Sequence, residues 1–208
     1  ERGPAWYRSL GRDGAAGTKV YSLSGRVRRP GNYELPLGVT ARELLLEHGG
    51  GLPEGPALKA FTLGGVSGGL LPPAALDTPL DYRGPAEWGS ALGSGGVIVY
   101  GDGDCLVRAA RDHMSFFEKE SCGKCFPCRI GTVRYRELLE ELCGGGERST
   151  GRDDRLAQFR ELAAAMTHTS ACGLGMAAPL AVISLARHWP DEVESHVRGR
   201  CPAGTCRL

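Results

Sequence analysis

The first 104 residues of this 208-residue chain contain no cysteine. Aromatics are scarce at 7%, and neither sign of charge dominates: the net charge is +1. Near-neutrality argues against a nucleic-acid-binding arm or a patch for anionic membranes. No run approaches the ~18 apolar residues of a membrane span. The opening residues show no basic segment followed by an apolar one, as a secretion signal would. The 32 glycines follow no period of three, which excludes a collagen-like chain. Hydrophobic residues at 41% still permit a packed core.

What the first half lacks, the second concentrates. All eight cysteines fall between Cys105 and Cys206, several in tight local groups. Without a secretion signal, and in a chain long enough to bury a core, such grouping reads as metal ligation rather than a disulfide framework.

Residues 1–18 read as an entry segment rather than a natural beginning, because they start without Met and carry glycine turns. From residue 19 to 100 the pattern is that of a sheet. Lys19–Arg28 and Tyr33–Leu35, joined through Arg29-Pro30-Gly31-Asn32, predict a hairpin whose apolar positions include Val20, Leu23 and Val27. Thr40 with Glu43 three residues on forms a capping box for a helix over Ala41–His48, which Gly49-Gly50-Gly51 stops. Strands follow at Leu58–Leu63 and Gly96–Tyr100. This order predicts an α+β sheet of the β-grasp type.

Residues 105–190 switch to helical spacing. Helices are expected at Leu106–Lys119, Val133–Cys143, Arg155–Met166 and Pro179–Trp189, giving a four-helix bundle. A polar, glycine-rich loop over 144–154 separates the second from the third. Residues 191–208 form a cysteine-bearing tail.

Two constellations carry chemistry. The first is Cys122-x2-Cys125-x2-Cys128, whose thiolates suit one face of an iron–sulfur cubane, with Cys172 as the candidate fourth ligand. Ser121 is expected to cap the following helix. Gly123 is expected to let backbone approach the cluster, and Pro127 to stiffen the loop. Lys119, Lys124 and Arg129 offset the negative charge. The second is His196-x4-Cys201-x4-Cys206, with Cys105 as the candidate fourth ligand of a structural zinc. From spacing, a Cys201–Cys206 disulfide or half of a [2Fe–2S] site competes with zinc. Cys143 reads as a buried small hydrophobe. His113 and His168 read as a helix-face and a loop histidine. Phe116, Phe117 and Phe126 read as core or cluster shielding.

The segment from Glu120 to Arg129, with Gly131 and the later Cys172, resembles the [4Fe–4S] region of the NADH-binding 51-kDa-type flavoprotein subunit of NADH dehydrogenases. That subunit recurs in NAD-linked formate dehydrogenases and hydrogenases. Residues 17–100 resemble its SLBB β-grasp domain through Gly17-Thr18-Lys19, Ser24-Gly25-x-Val27-x-x-Pro30-Gly31, the Gly64–Gly69 loop and Leu92-Gly93-Ser94-Gly95. The tail is similar to that of electron-bifurcating hydrogenases, where the corresponding His and Cys residues hold zinc.

The resemblance implies an electron-transfer module, inactive alone, whose [4Fe–4S] cluster takes single electrons from FMN reduced by NADH. It implies as partners an FMN/NADH-binding domain or subunit, a thioredoxin-like [2Fe–2S] subunit and a larger iron–sulfur subunit. It also implies a cytoplasmic location or the cytoplasmic side of a membrane complex. The glycine-rich FMN loop of the family does not occur in these residues, so flavin and NADH sites are not carried over. Other classes from the residues alone are a ligand-binding β-grasp module with a structural metal, and a thiol sensor using Cys201 and Cys206.

Overall fold

A computed structural model describes residues 2–144 and 152–207. It divides into two compact units, residues 1–102 and 103–208. Among the described residues no helix is long and apolar enough to cross a membrane. Most of the expected 144–154 loop (residues 145–151) lies outside the described residues.

The first unit opens on a short helix α1 (Gly3–Arg8) and builds one five-stranded sheet. Its strands are β1 (Thr18–Gly25), β2 (Gly31–Pro36), β3 (Leu58–Thr62), β4 (Leu70–Leu71) and β5 (Gly96–Gly101), in the order β2-β1-β5-β3-β4. The predicted hairpin is antiparallel β1–β2, with Tyr21 opposite Tyr33. β5 returns alongside β1 in parallel, with Leu23 opposite Val97. Strand period fixes which residues enter the core. Tyr21 and Leu23 are buried, and the Tyr21 hydroxyl donates to the Leu80 carbonyl at 2.9 Å. Val20 therefore points the other way and is exposed, contrary to its expected place in the apolar pattern.

The capping box forms as expected. The Thr40 N–H donates to Glu43 Oε2 at 2.8 Å and the Glu43 N–H to Thr40 Oγ1 at 3.2 Å. The Thr40 N–H and the Arg12 guanidinium hold the Glu43 carboxyl down at about 2. Beyond this cap the chain does not continue as an ordinary α-helix. Residues Glu43–His48 form a π-helical turn, in which the Gly49 N–H reaches back five residues to the Leu44 carbonyl. The widened turn sets Gly49 against Leu23 and Val27, while Leu44 and Leu45 bury themselves beneath the sheet. A single helical turn α2 (Gly84–Glu87) completes this unit.

The second unit is helical: α3 (Leu106–Glu120), α4 (Phe126–Gly144), α5 (Arg152–Thr169), α6 (Gly173–Ala177), α7 (Leu180–His188) and α8 (Pro190–Val197). The four expected helices are α3, α4, α5 and α7, with α4 beginning seven residues earlier than its periodicity suggests. α3 packs along α4, α4 on α5, and α7 against both α3 and α5. Met114, Phe117, Tyr135, Leu139, Phe159 and Leu185 fill the interior.

The α4–α5 approach depends on Gly131. A Cβ there would fall 2.4 Å from Sδ of the fully buried Met166. Gly131→Val is expected to overpack this contact and lower stability by about 2 kcal/mol. Urea unfolding of the as-isolated protein checks this; a midpoint equal to that of the parent protein contradicts it.

Candidate metal centres

The three clustered cysteines lie on the turn from α3 into α4. Ser121 ends α3 in extended backbone, and Gly123 follows with φ +75°, a conformation that favours glycine. A Cβ on Gly123 would meet no protein atom closer than Arg129 Cδ at 3.9 Å, so among the protein's own contacts it is the backbone conformation that favours glycine here. Arg129 braces the loop by donating to the Gly123 carbonyl at 3.1 Å. Pro127 sits in the first turn of α4, where a missing N–H breaks no helical bond.

Ser121 does not cap α4. Its hydroxyl accepts from the Gly123 N–H at 3.3 Å and lies 3.4 Å from Cys128 Sγ.

Cys172 comes from a different element. It is the N-cap of α6, in extended backbone directly after the loop that ends α5. The two segments meet at Cys125, whose thiol is lowered by the Ala171 N–H and then by the Cys128 N–H. Burial pushes the Cys128 thiol up, and the like charges of Cys125, Cys172 and Cys122 add to this against the Ser121 hydrogen bond. The other three predicted cysteines thus all bear electrostatically on Cys128, and α6, which starts at Cys172, packs on α4 with Gly175 against the Cys128 side chain. Cys128 is buried, Cys125 half-buried, and Cys122 and Cys172 exposed. Four thiols, two aimed backbone N–H groups and nearby Lys124 and Arg129 fit a cluster with thiolate ligands. Of the three phenylalanines, Phe117 is core, whereas Phe116 and Phe126 are exposed.

The second centre joins both ends of the helical unit. Cys105 caps α3, with its Sγ accepting from the Arg108 N–H at 3.3 Å. His196 lies on α8, a helix that occupies part of the expected tail. Its Nδ1 is 2.8 Å from the Glu192 carbonyl, which can only accept, so Nδ1 carries a proton and Nε2 is the atom that faces the thiols. The Glu192 carboxylate in turn accepts from the Leu106 N–H at 2.8 Å, tying α8 to the start of α3.

Cys105 Sγ lies 3.2 Å from His196 Nε2 and 3.6 Å from Cys206 Sγ. Cys206 Sγ is 3.6 Å from His196 Nε2. With Cys201, the four ligand atoms all lie within 4.8 Å of one another. Tetrahedral zinc with thiolate and imidazole ligands has edges of about 3.6–3.8 Å.

The protons in this group are unevenly shared. A hydrogen bond from Cys143 lowers the Cys105 thiol most; burial opposes this, and bonds from His196 and the Arg108 N–H add to it. Cys143 moves the opposite way, raised by its bond to Cys105 and by burial. Cys143 is buried as expected, and the same interaction that lowers Cys105 raises it. Its position in sequence gives no sign of this. Burial pushes His196 down, yet its bonds to Cys105 and the Glu192 carbonyl raise it to about 9.

His113 and His168 are not among the residues gathered at the second centre. His113 is buried in α3 and lowered by desolvation. His168 lies exposed in the last turn of α5 rather than in a loop.

Comparison with known proteins follows this division. Residues 20–74 match the SLBB domain, and residues 108–196 match the NADH-ubiquinone oxidoreductase-F iron-sulfur binding region. The NADP-reducing hydrogenase subunit HndC of Solidesulfovibrio fructosivorans is 39% identical over 98% of this chain and 41% of its own length. The F-type subunit of the NADH-quinone oxidoreductase of Mycobacterium bovis is 41% identical over 95% of this chain and 43% of its own length. The chain therefore spans less than half of these relatives. A crystal structure of NAD+-reducing [NiFe]-hydrogenase in the H2-reduced state superposes with a TM-score of 0.78 at 31% identity. That match covers 92% of this chain and 32% of the other.

Proposed function

We propose that this chain, which belongs to the family of NADH-quinone oxidoreductase F-type subunits through its SLBB and iron–sulfur binding regions, is the electron-transfer part of an NAD(P)H-linked oxidoreductase. The observation that carries the reading is that α6, which begins at Cys172, packs on α4 beside the cysteine turn, with Gly175 set directly against the Cys128 side chain. These four thiolates would hold a [4Fe–4S] cluster. When bound, such a cluster supplies one-electron transfer, which complements a flavin that takes two electrons from a nicotinamide as hydride.

The chain's own residues bind and bias that group. The Ala171 and Cys128 N–H groups favour thiolate at Cys125. Arg129 holds the cysteine loop closed while presenting positive charge beside it, and Lys124 adds a second cation. FMN and NADH would be bound by a domain or subunit outside these residues. The thioredoxin-like [2Fe–2S] subunit and the larger iron–sulfur subunit would be its other partners. The cytoplasm, or the cytoplasmic side of a membrane complex, is the proposed location.

The second centre is proposed as structural zinc held by Cys105, His196, Cys201 and Cys206. Support comes from ligand spacing that suits one ion rather than two irons, and from a complete set of four ligands that leaves no open position. Its place between the cap of α3 and the end of α8 suits a clamp on the helical unit.

The test is composition. The chain purified without oxygen is expected to hold about four irons and four sulfides, with broad visible absorbance that bleaches on reduction, and about one zinc. Zinc without iron in such a preparation overturns the electron-transfer reading.

A further inference from the structure

Beside Cys128 lies a buried hydroxyl with no hydrogen-bond partner. Ser170 is 5% exposed, and its Oγ meets no donor or acceptor among the described residues. Its backbone is satisfied, since the Ser170 N–H donates to the Met166 carbonyl at 3.1 Å. The side chain alone is unsatisfied, a rare condition for a buried polar group.

Its surroundings indicate which partner is missing. A Cβ built on Gly175 would fall 2.4 Å from Ser170 Oγ and 2.9 Å from Cys128 Cβ. The hydroxyl and a cluster cysteine therefore border the same small space, kept open because residue 175 has no side chain. The neighbouring residues of the loop already face the centre: the Ala171 N–H bonds to the Cys125 thiol, and Cys172 supplies a thiol of its own. Ser121 offers a contrast from the opposite segment. Its hydroxyl is engaged by the Gly123 N–H and by Cys128 Sγ, so it is satisfied without any added group.

We propose that the Ser170 hydroxyl donates a hydrogen bond to a sulfur of the cluster held by Cys122, Cys125, Cys128 and Cys172, and so raises its reduction potential. The inference rests on the iron–sulfur reading above. Adding an electron makes the cluster sulfurs more negative, so a donor aimed at them stabilises the reduced form more than the oxidised form. Ser170 is thus a positioning and tuning residue. It contributes no ligand, and its partner arrives with the group.

The experiment compares the anaerobically purified chain with Ser170→Ala. Iron and sulfide content should be unchanged. The midpoint potential, from an EPR-monitored titration, should shift to more negative values. Pulsed EPR of the reduced protein in D2O should show one exchangeable coupling fewer in the variant. An unchanged potential with all exchangeable couplings retained overturns the proposal.

Should Ser170→Ala load poorly, Ser170→Cys offers a weaker donor of similar size. It should shift the potential in the same direction by less, and no shift there also overturns the proposal. Failure of the underlying reading is separately visible, because the parent chain itself would then contain no iron or sulfide.

Discussion

Cys172→Ala is expected to strip the chain of most of its iron while leaving its zinc and its helices in place. The reason lies in where this ligand sits. Cys122, Cys125 and Cys128 share one turn and can gather around one face of a cluster, but four irons need a fourth thiolate. Cys172 reaches the site from the N-cap of α6, so without it no ligand to iron comes from the α5–α6 segment. Its side chain is exposed and makes no cap hydrogen bond, so truncation leaves no buried group unsatisfied.

Iron affinity should fall by more than ~100-fold, beyond what loss of an outer-shell partner causes. Iron analysis and visible absorbance measure that loss, and far-UV circular dichroism establishes that the helices remain. Cys143→Ala is the matched control: Cys143 belongs to the other centre and should keep its iron. A Cys172→Ala protein with full iron and unaltered absorbance would remove Cys172 from the ligand set.

The ease of naming Cys172 from sequence contrasts with how poorly its structural setting can be read there. Ligand chemistry is local: thiolates three residues apart, and a Cys-Pro-Ala-Gly-Thr-Cys loop, announce themselves by residue type and spacing. The helices presenting the remote ligands do not. α6 has five residues and α8 eight, too few turns for apolar periodicity to stand out. The fourth expected helix ends at Trp189, yet Pro190 begins α8 directly after it, because proline suits a first helical turn as well as it interrupts an interior one. So Cys172 and His196 stand out as candidate ligands before their frames are visible.

The long helices α3, α4, α5 and α7 are legible because their buried stripes repeat over several turns. The sheet is legible because turn residues punctuate it, although the face of β1 is ambiguous at Val20, where Tyr21 and Leu23 decide the register. The setting of Ser170 beside Cys128, 42 residues away, and of Cys143 beside Cys105, 38 residues away, leaves no local trace.

The second large effect concerns the tail. Cys206→Ser is expected to release zinc while the irons stay. Cys206 has its Sγ 3.6 Å from both Cys105 Sγ and His196 Nε2, so its removal opens one face of the four-ligand set. A serine hydroxyl stays protonated at neutral pH and is a poor replacement for thiolate. Zinc should drop from about one per chain to a small fraction of that.

The consequences should extend past the tail. Cys105 caps α3, and His196 stands on α8, whose Glu192 carboxylate also holds the first turn of α3. Without the ion, the Cys105–His196 contact and the Glu192–Leu106 hydrogen bond are left to hold these elements together. Binding energy at a structural zinc is largely folding energy. A loss of at least ~3 kcal/mol in unfolding free energy is therefore expected, well above a typical surface substitution.

The readout is paired: zinc and iron analysis on one sample, urea unfolding on another. Loss of zinc with about four irons retained assigns the two centres separately. Loss of iron with zinc retained would place Cys206 at the cluster and refute the division of the cysteines into two sets.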